Sequence, residues 1–173
     1  MADRARLFFA LDPDERVRQR LGRIQADLAL PARRVPLPNL HITLAFLGDV
    51  AAADIGRLQT LAGTVDLPAV RLMLDRLGWF PRAGVAWLGC ARPPPALSEF
   101  QQALTRCLLR EGFAPDTRAW QPHVTLYRNL RTRWEKIPFE AVAWPLQGFC
   151  LLRSTSAERG PRYEPLGHWQ ASG

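Results

Sequence analysis

Residues 39–48 read NLHITLAFLG, and residues 120–129 read WQPHVTLYRN. The chain has three histidines, and two of them, His41 and His123, stand in these stretches. Thr43 and Leu44 follow the first, Thr125 and Leu126 the second, at the same spacing. The copies lie 82 residues apart, close to half of the 173-residue chain, and each has a Pro-containing approach. A weak internal duplication of this kind implies two similar structural units. Chance is a poor explanation. With eight threonines in 173 residues, a histidine has Thr two places on about once in twenty.

On a strand, residues i and i+2 share a face. His41 and Thr43 therefore share one face, with Ile42, Leu44 and Phe46 on the other. In the second copy His123, Thr125 and Tyr127 share a face, while Val124 and Leu126 point away. Strict alternation sends Arg128, five places after His123, to the opposite face, so a twist, a bulge or the strand's end is needed to bring it round. Two imidazoles that meet across a cleft are a general acid and a general base suited to neutral pH. The two hydroxyls, and Arg128 if it reaches, add donors for an anion, and phosphate fits that set. The competing reading of one such histidine is a hydrogen-bonded core residue, and duplication argues against it. Neither copy has a further His, Cys or carboxylate spaced as a metal site needs, and no serine or cysteine nucleophile motif is present.

Outward from these motifs, LFFAL (7–11) reads as a buried strand. Asp12 is the expected N-cap of a helix with Pro13 at its first position and Glu15 three residues after the cap. Val17, Leu21, Ile24 and Leu28 give that helix one apolar face. PARRVPLPN ends it, and HITLAFLG reads as a strand stopped at Gly48. A weaker helix spans 52–62, and RLMLDRLGWF and GVAWLGC read as a strand pair joined through PRAG. PPP at 93–95 opens a third helix with Leu97, Phe100, Leu104 and Leu108 on one face, and HVTLYRN is the next strand. QGFCLLRSTS and YEPLGHW close the chain as strands joined by AERGP. GxGxxG and GxxxxGK[ST] are absent, which removes most of the case for a dinucleotide or nucleoside-triphosphate fold.

The formal net charge is +7, and Lys136 is the one lysine among 23 basic residues. Such a balance favours anionic partners, nucleic acid first, although an arginine-rich solvated surface reads the same way. Cys90, Cys107 and Cys150 are odd in number and scattered. They suggest neither a disulfide framework nor zinc, and they fit a reducing cytoplasm. No apolar run is long enough for a membrane span or a signal peptide.

At these residues the sequence resembles the two-histidine (2H) phosphoesterases, and most closely the RNA 2′,3′-cyclic phosphodiesterases also called 2′-5′ RNA ligases. RLFFALDP, NLHITLAFLG, PHVTLYRN and LLRSTSAERGPRYEPLGHW carry the resemblance, which covers essentially the whole chain. It implies one domain over 1–173 with an α+β, bilobal pseudo-twofold fold, in which two antiparallel sheets line a central cleft and the helices lie outside. It also implies hydrolysis of an RNA 2′,3′-cyclic phosphate end to a 2′-phosphomonoester, with no metal and no cofactor. In that scheme His41 matches the family's proton donor and His123 its acceptor, roles that could be exchanged. Thr43, Thr125 and Arg128 would hold the phosphate oxygens. The family often has an aromatic residue shortly before the first motif, where this chain has Val35.

Two alternatives stand beside the hydrolase. One is 2′-5′ RNA ligation at the same site, joining a cyclic phosphate to a 5′-hydroxyl. The other is an RNA-binding module without turnover, driven by charge alone. The expected partner is RNA with a cyclic phosphate end or a small cyclic nucleotide, bound by a cytoplasmic monomer. Arg33 and Arg34 could extend a basic track for RNA. Phe9, Trp120, Tyr127 and Tyr163 are the candidates for stacking on a base, although such residues are more often core. His168, without a threonine partner, reads as structural or surface.

Overall fold

In the computed structural model, which describes residues 3–158 and 160–173, three helices cover one face of a strongly antiparallel sheet. The strands are β1 (Arg4–Leu11), β2 (Arg33–Arg34), β3 (Ile42–Ala51), β4 (Arg71–Leu74), β5 (Arg76–Phe80), β6 (Val85–Gly89), β7 (His123–Arg128), β8 (Val142–Pro145), β9 (Gly148–Thr155) and β10 (Arg162–Gln170). The helices are α1 (Glu15–Leu28), α2 (Ile55–Ala62) and α3 (Pro95–Arg110). The main sheet runs β10-β9-β1-β3-β7-β6-β5, with β2 on β7, and β4 pairs β8 in a separate ribbon. Arg159, within the AERGP segment read from the sequence as a turn, lies outside the described residues.

The α+β class and the antiparallel pairing agree with the sequence. The two expected sheets are joined into one, because β3 and β7 pair at Ile42 and Val124. These are equivalent positions of the two copies, each the residue after its histidine. β7 then leaves β3, and β2 takes over its edge, with Arg33 opposite Arg128 and Arg34 opposite Tyr127. RLMLDRLGWF breaks at Asp75 into β4 and β5, which belong to different sheets. The partner of β4, β8, is a four-residue strand ending in a proline, too short to register as a pattern.

One core joins the sheet to all three helices. Leu7, Phe9, Leu11, Ile42 and Leu44 from the strands meet Val17, Leu21 and Leu28 of α1, Leu58 and Leu61 of α2, and Leu97, Phe100, Leu104 and Leu108 of α3. Each such side chain contributes about 1.5–3 kcal/mol by leaving water. The opposite sheet face carries a small second cluster of Phe8, Ala10, Cys150 and Leu152, with Phe46 and Tyr163 packed against it.

Two local expectations are corrected. The N-cap of α1 is Asp14, whose Oδ1 accepts the Val17 N–H at 2.8 Å. Asp12 instead pairs with Arg18 at 2.7 Å, and the same guanidinium donates to the Leu37 carbonyl, which ties α1 to the approach to His41. β3 does not stop at Gly48. The glycine takes φ +68 within a bulge, which an L side chain resists, and the strand runs on to Ala51.

Candidate active site

Both histidines are held in the same way. Nδ1 of His41 lies 2.7 Å from the Asn39 carbonyl, and Nδ1 of His123 lies 2.7 Å from the Gln121 carbonyl, two residues upstream in each case. A carbonyl only accepts, so each Nδ1 carries the proton and each Nε2 is left as the nitrogen that can take up a further one. In the neutral form, Nε2 of His41 accepts from the Thr43 hydroxyl at 3.1 Å.

Each ring is flanked by two aromatic side chains. Phe8 lies 5.0 Å from His41 between ring centroids, and Tyr163 meets it edge-on at 5.3 Å. Phe80 meets His123 edge-on at 5.4 Å, and Trp87 lies 5.9 Å away. The indole of Trp87 lies flat over Gly78, where any Cβ would come within 2.0 Å of it. Burial lowers the pKa of both histidines, to about 4 for His41, and the positive charge of Arg128 lowers both further. His123 also acts on His41, so Arg128 and the two imidazoles share one electrostatic neighbourhood.

Arg128 reaches that neighbourhood because neither motif strand keeps strict alternation. β7 slips against β6 between Thr125 and Tyr127, which places Tyr127 in the core with its hydroxyl donating to the Gln25 carbonyl. Arg128 therefore lines the same depression as His41 and Thr125, together with Arg33 and Tyr163. β3 does the same. Its ladder skips Leu44 between Thr43 and Ala45, and Phe46 turns away from the main core to join Phe8 on the other face. The two copies thus present His41, Thr43 and Phe46, and His123, Thr125 and Arg128, on one face at positions i, i+2 and i+5. Strict alternation misassigns Phe46 and Tyr127, and it misassigns Arg128 for the same reason.

Each break is backed by a buried glutamine. Gln101 on α3 donates through Nε2 to the Leu44 carbonyl at 3.0 Å. Gln25 on α1 donates to the Leu126 and Val35 carbonyls at 2.7 and 2.8 Å and accepts from Arg34 at 2.8 Å. Sequence reading missed both residues. The signal was there: each glutamine stands four residues after one leucine of an apolar helix face and three before another, at 21-25-28 and at 97-101-104. A polar side chain inside such a stripe is buried, and a buried amide requires partners.

Of the other candidates, Phe9 is core, and Trp120 donates its Nε1–H to the Thr43 carbonyl at 2.8 Å. Tyr163 does stand at the depression. Val35 lines it too, bonded through its backbone to Leu126. Of Arg33 and Arg34, the second turns inward to Gln25 and the Gly22 carbonyl. His168 lies on the surface beside the His41 side of the site. Among the described residues no three His, Cys, Asp or Glu side chains gather as a metal site requires, and no helix is long and apolar enough to cross a membrane.

The chain is similar to known proteins along its whole length. A relative from Escherichia coli K12 named RNA 2′,3′-cyclic phosphodiesterase is 35% identical over 173 residues, covering 98% of each chain. The crystal structure of E. coli LigT complexed with 3′-AMP superposes with a TM-score of 0.90 at 34% identity, covering 99% of this chain and 100% of that one. The same protein complexed with phosphate gives 0.86 at 32% identity, covering 99% of both. The family model described as the 2′-5′ RNA ligase superfamily matches residues 13–158. With most of its length matched by that model, and with the two motif strands paired at equivalent residues, the chain belongs to the 2′-5′ RNA ligase superfamily.

Proposed function

We propose that the protein hydrolyses RNA 2′,3′-cyclic phosphate ends to 2′-phosphomonoesters by acid–base catalysis between His41 and His123. The observation that carries the reading is the duplicated tether. Each Nδ1 is bonded to the carbonyl two residues upstream, so two Nε2 atoms are fixed and aimed rather than merely buried. The naming of the E. coli relative supports the substrate class, and the crystal structures of E. coli LigT complexed with 3′-AMP and with phosphate support a phosphorylated ligand.

In this scheme His123 Nε2 takes a proton from water, and the water oxygen attacks phosphorus. The bond from phosphorus to the 3′-oxygen breaks, and His41 Nε2 delivers a proton to that oxygen. The phosphate remains on the 2′-oxygen. Arg128, Thr43 and Thr125 hold the non-bridging oxygens, with Arg128 the charged partner of the three. The acid must be protonated, yet burial favours the neutral ring in the free protein. An anionic phosphate between the rings raises the pKa of both and loads the acid. The donors around the phosphate are an arginine and two hydroxyls, which supply charge stabilisation without a metal ion. RNA ligation puts a 5′-hydroxyl in the place of water in the same step, and water at high concentration outcompetes it.

The test is phosphorus NMR of an oligoribonucleotide ending in a 2′,3′-cyclic phosphate, incubated with the protein in excess chelator. The expected outcome is conversion to a 2′-monophosphate at a rate independent of chelator. RNA that binds without conversion would instead favour a binding module. Joined product at modest RNA concentration would favour ligation.

A further inference from the structure

We propose that Arg33 forms a second phosphate subsite beside the reactive one, and that it recognises the phosphodiester on the 5′ side of the terminal nucleotide. The preferred substrate is then the end of an RNA strand rather than a free cyclic nucleotide. This rests on the hydrolase reading above.

The argument starts from the register of β2. Arg33 pairs directly with Arg128 across an antiparallel ladder. Cross-strand partners share a face about 5 Å apart, and two like charges placed so repel. Neither arginine has a carboxylate partner among the described residues. The neighbouring Arg34 is different, because its guanidinium is used up on Gln25 and the Gly22 carbonyl. A two-residue strand, anchored inward by Arg34, therefore holds Arg33 outward against another cation, and a pair of that kind is stable where each guanidinium has an anionic group beside it.

The surroundings agree. Arg33, Arg128, His41 and Tyr163 line one depression. Arg6 approaches from the other half of the sheet. It pairs with Ser154, and Ser154 pairs with Tyr163, so all three lie in one row on one face. The charges of Arg128, Arg33 and Arg6 all act on the Tyr163 hydroxyl. One reactive phosphate occupies Arg128 and the histidines, which leaves Arg33 for another. In an RNA end, the next phosphate along the strand is the one on the 5′-oxygen of the same ribose. A free nucleoside 2′,3′-cyclic phosphate lacks it.

Two substrates that differ only in that group test the inference. One is a nucleoside 2′,3′-cyclic phosphate with a free 5′-hydroxyl, and the other is the same nucleoside carrying a 5′-methyl phosphodiester. For the unmodified protein, kcat/KM is expected to be at least tenfold higher for the 5′-phosphodiester. In R33A that ratio is expected to fall to near 1. An unmodified protein that treats the two alike would overturn the subsite. So would an R33A variant that loses activity equally on both, because Arg33 would then serve the reactive phosphate. Failure of the unmodified protein to hydrolyse either substrate would instead overturn the hydrolase reading beneath it.

Discussion

The two copies of the motif are built alike and finished differently. Both tether Nδ1 to the carbonyl two residues back, flank the ring with two aromatics, break alternation after the threonine, and brace the break with a glutamine from a helix. They diverge at position i+5. In the first copy it is Phe46, packed with Phe8 and Tyr163 on an apolar patch. In the second it is Arg128, in the depression with His41. The burial of the imidazoles differs as well, and His41 is the one pushed down to about 4. The shared parts fix each Nε2, the atom to which the proposed reaction gives the proton transfers. The divergent parts divide the labour, with an apolar wall on one side and a cationic wall on the other.

The largest expected effects test whether the two histidines are equivalent. His41→Ala and His123→Ala should each lower kcat by about 10² to 10⁴, the usual range for a positioned acid or base. A substrate with sulfur in place of the bridging 3′-oxygen separates them, since a thiolate leaves without a proton. On that substrate His41→Ala should recover most of its lost rate, while His123→Ala should recover none. The opposite pattern would exchange the two roles. Recovery in neither would mean that neither ring protonates the leaving group.

Much of this was legible in the sequence, and its limits have physical causes. The helix faces are apolar stripes, so α1 and α3 could be read directly from Val17, Leu21, Ile24 and Leu28 and from Leu97, Phe100, Leu104 and Leu108. The histidines and threonines followed from duplication plus alternation, a local rule that holds over three residues. Beyond that it fails at the ladder slips. These reversed Phe46 and Tyr127 and made Arg128 hard to place, because a bulge is set by pairing with a neighbouring strand rather than by the strand's own residues. Phe8 was legible in principle, as the residue of LFFAL on the face opposite Leu7 and Phe9. Trp87 and Phe80 come to His123 from β6 and β5, and nothing local to His123 announces them.

A smaller effect separates the brace from what it carries. Gln25→Leu and Gln101→Leu each strip a donor from a buried carbonyl, so each should destabilise the protein by about 1–3 kcal/mol, measured by urea unfolding. Activity should not follow stability. The break behind Gln25 sets the phase of Arg128, whereas the one behind Gln101 sets Phe46. Gln25→Leu is expected to lower kcat about tenfold with little change for Gln101→Leu, both assayed well below their unfolding midpoints. Equal losses in kcat would show that the braces act only through stability, and that the phase of i+5 does not matter to the reaction.

The smallest effect concerns pH, where the asymmetry in burial should be visible without substrate. A histidine held neutral in the folded state binds its proton more weakly there than in the unfolded chain, whose value is about 6.5. The stability this represents is intact above pH 6.5 and is lost as pH falls toward the folded value of about 4 for His41. The loss at pH 4 is at most about 3 kcal/mol for that residue, and less to the extent that the ring edge meets water. His41→Asn should flatten the stability curve between pH 6.5 and 4 more than His123→Asn does. Imidazole proton NMR reads the same quantity directly. The His41 resonance should titrate well below that of an ordinary histidine in the free protein. With inorganic phosphate bound, both histidines should move upward. A His41 midpoint unchanged by phosphate would place the anion away from the ring, and would remove the step by which the substrate loads its own acid.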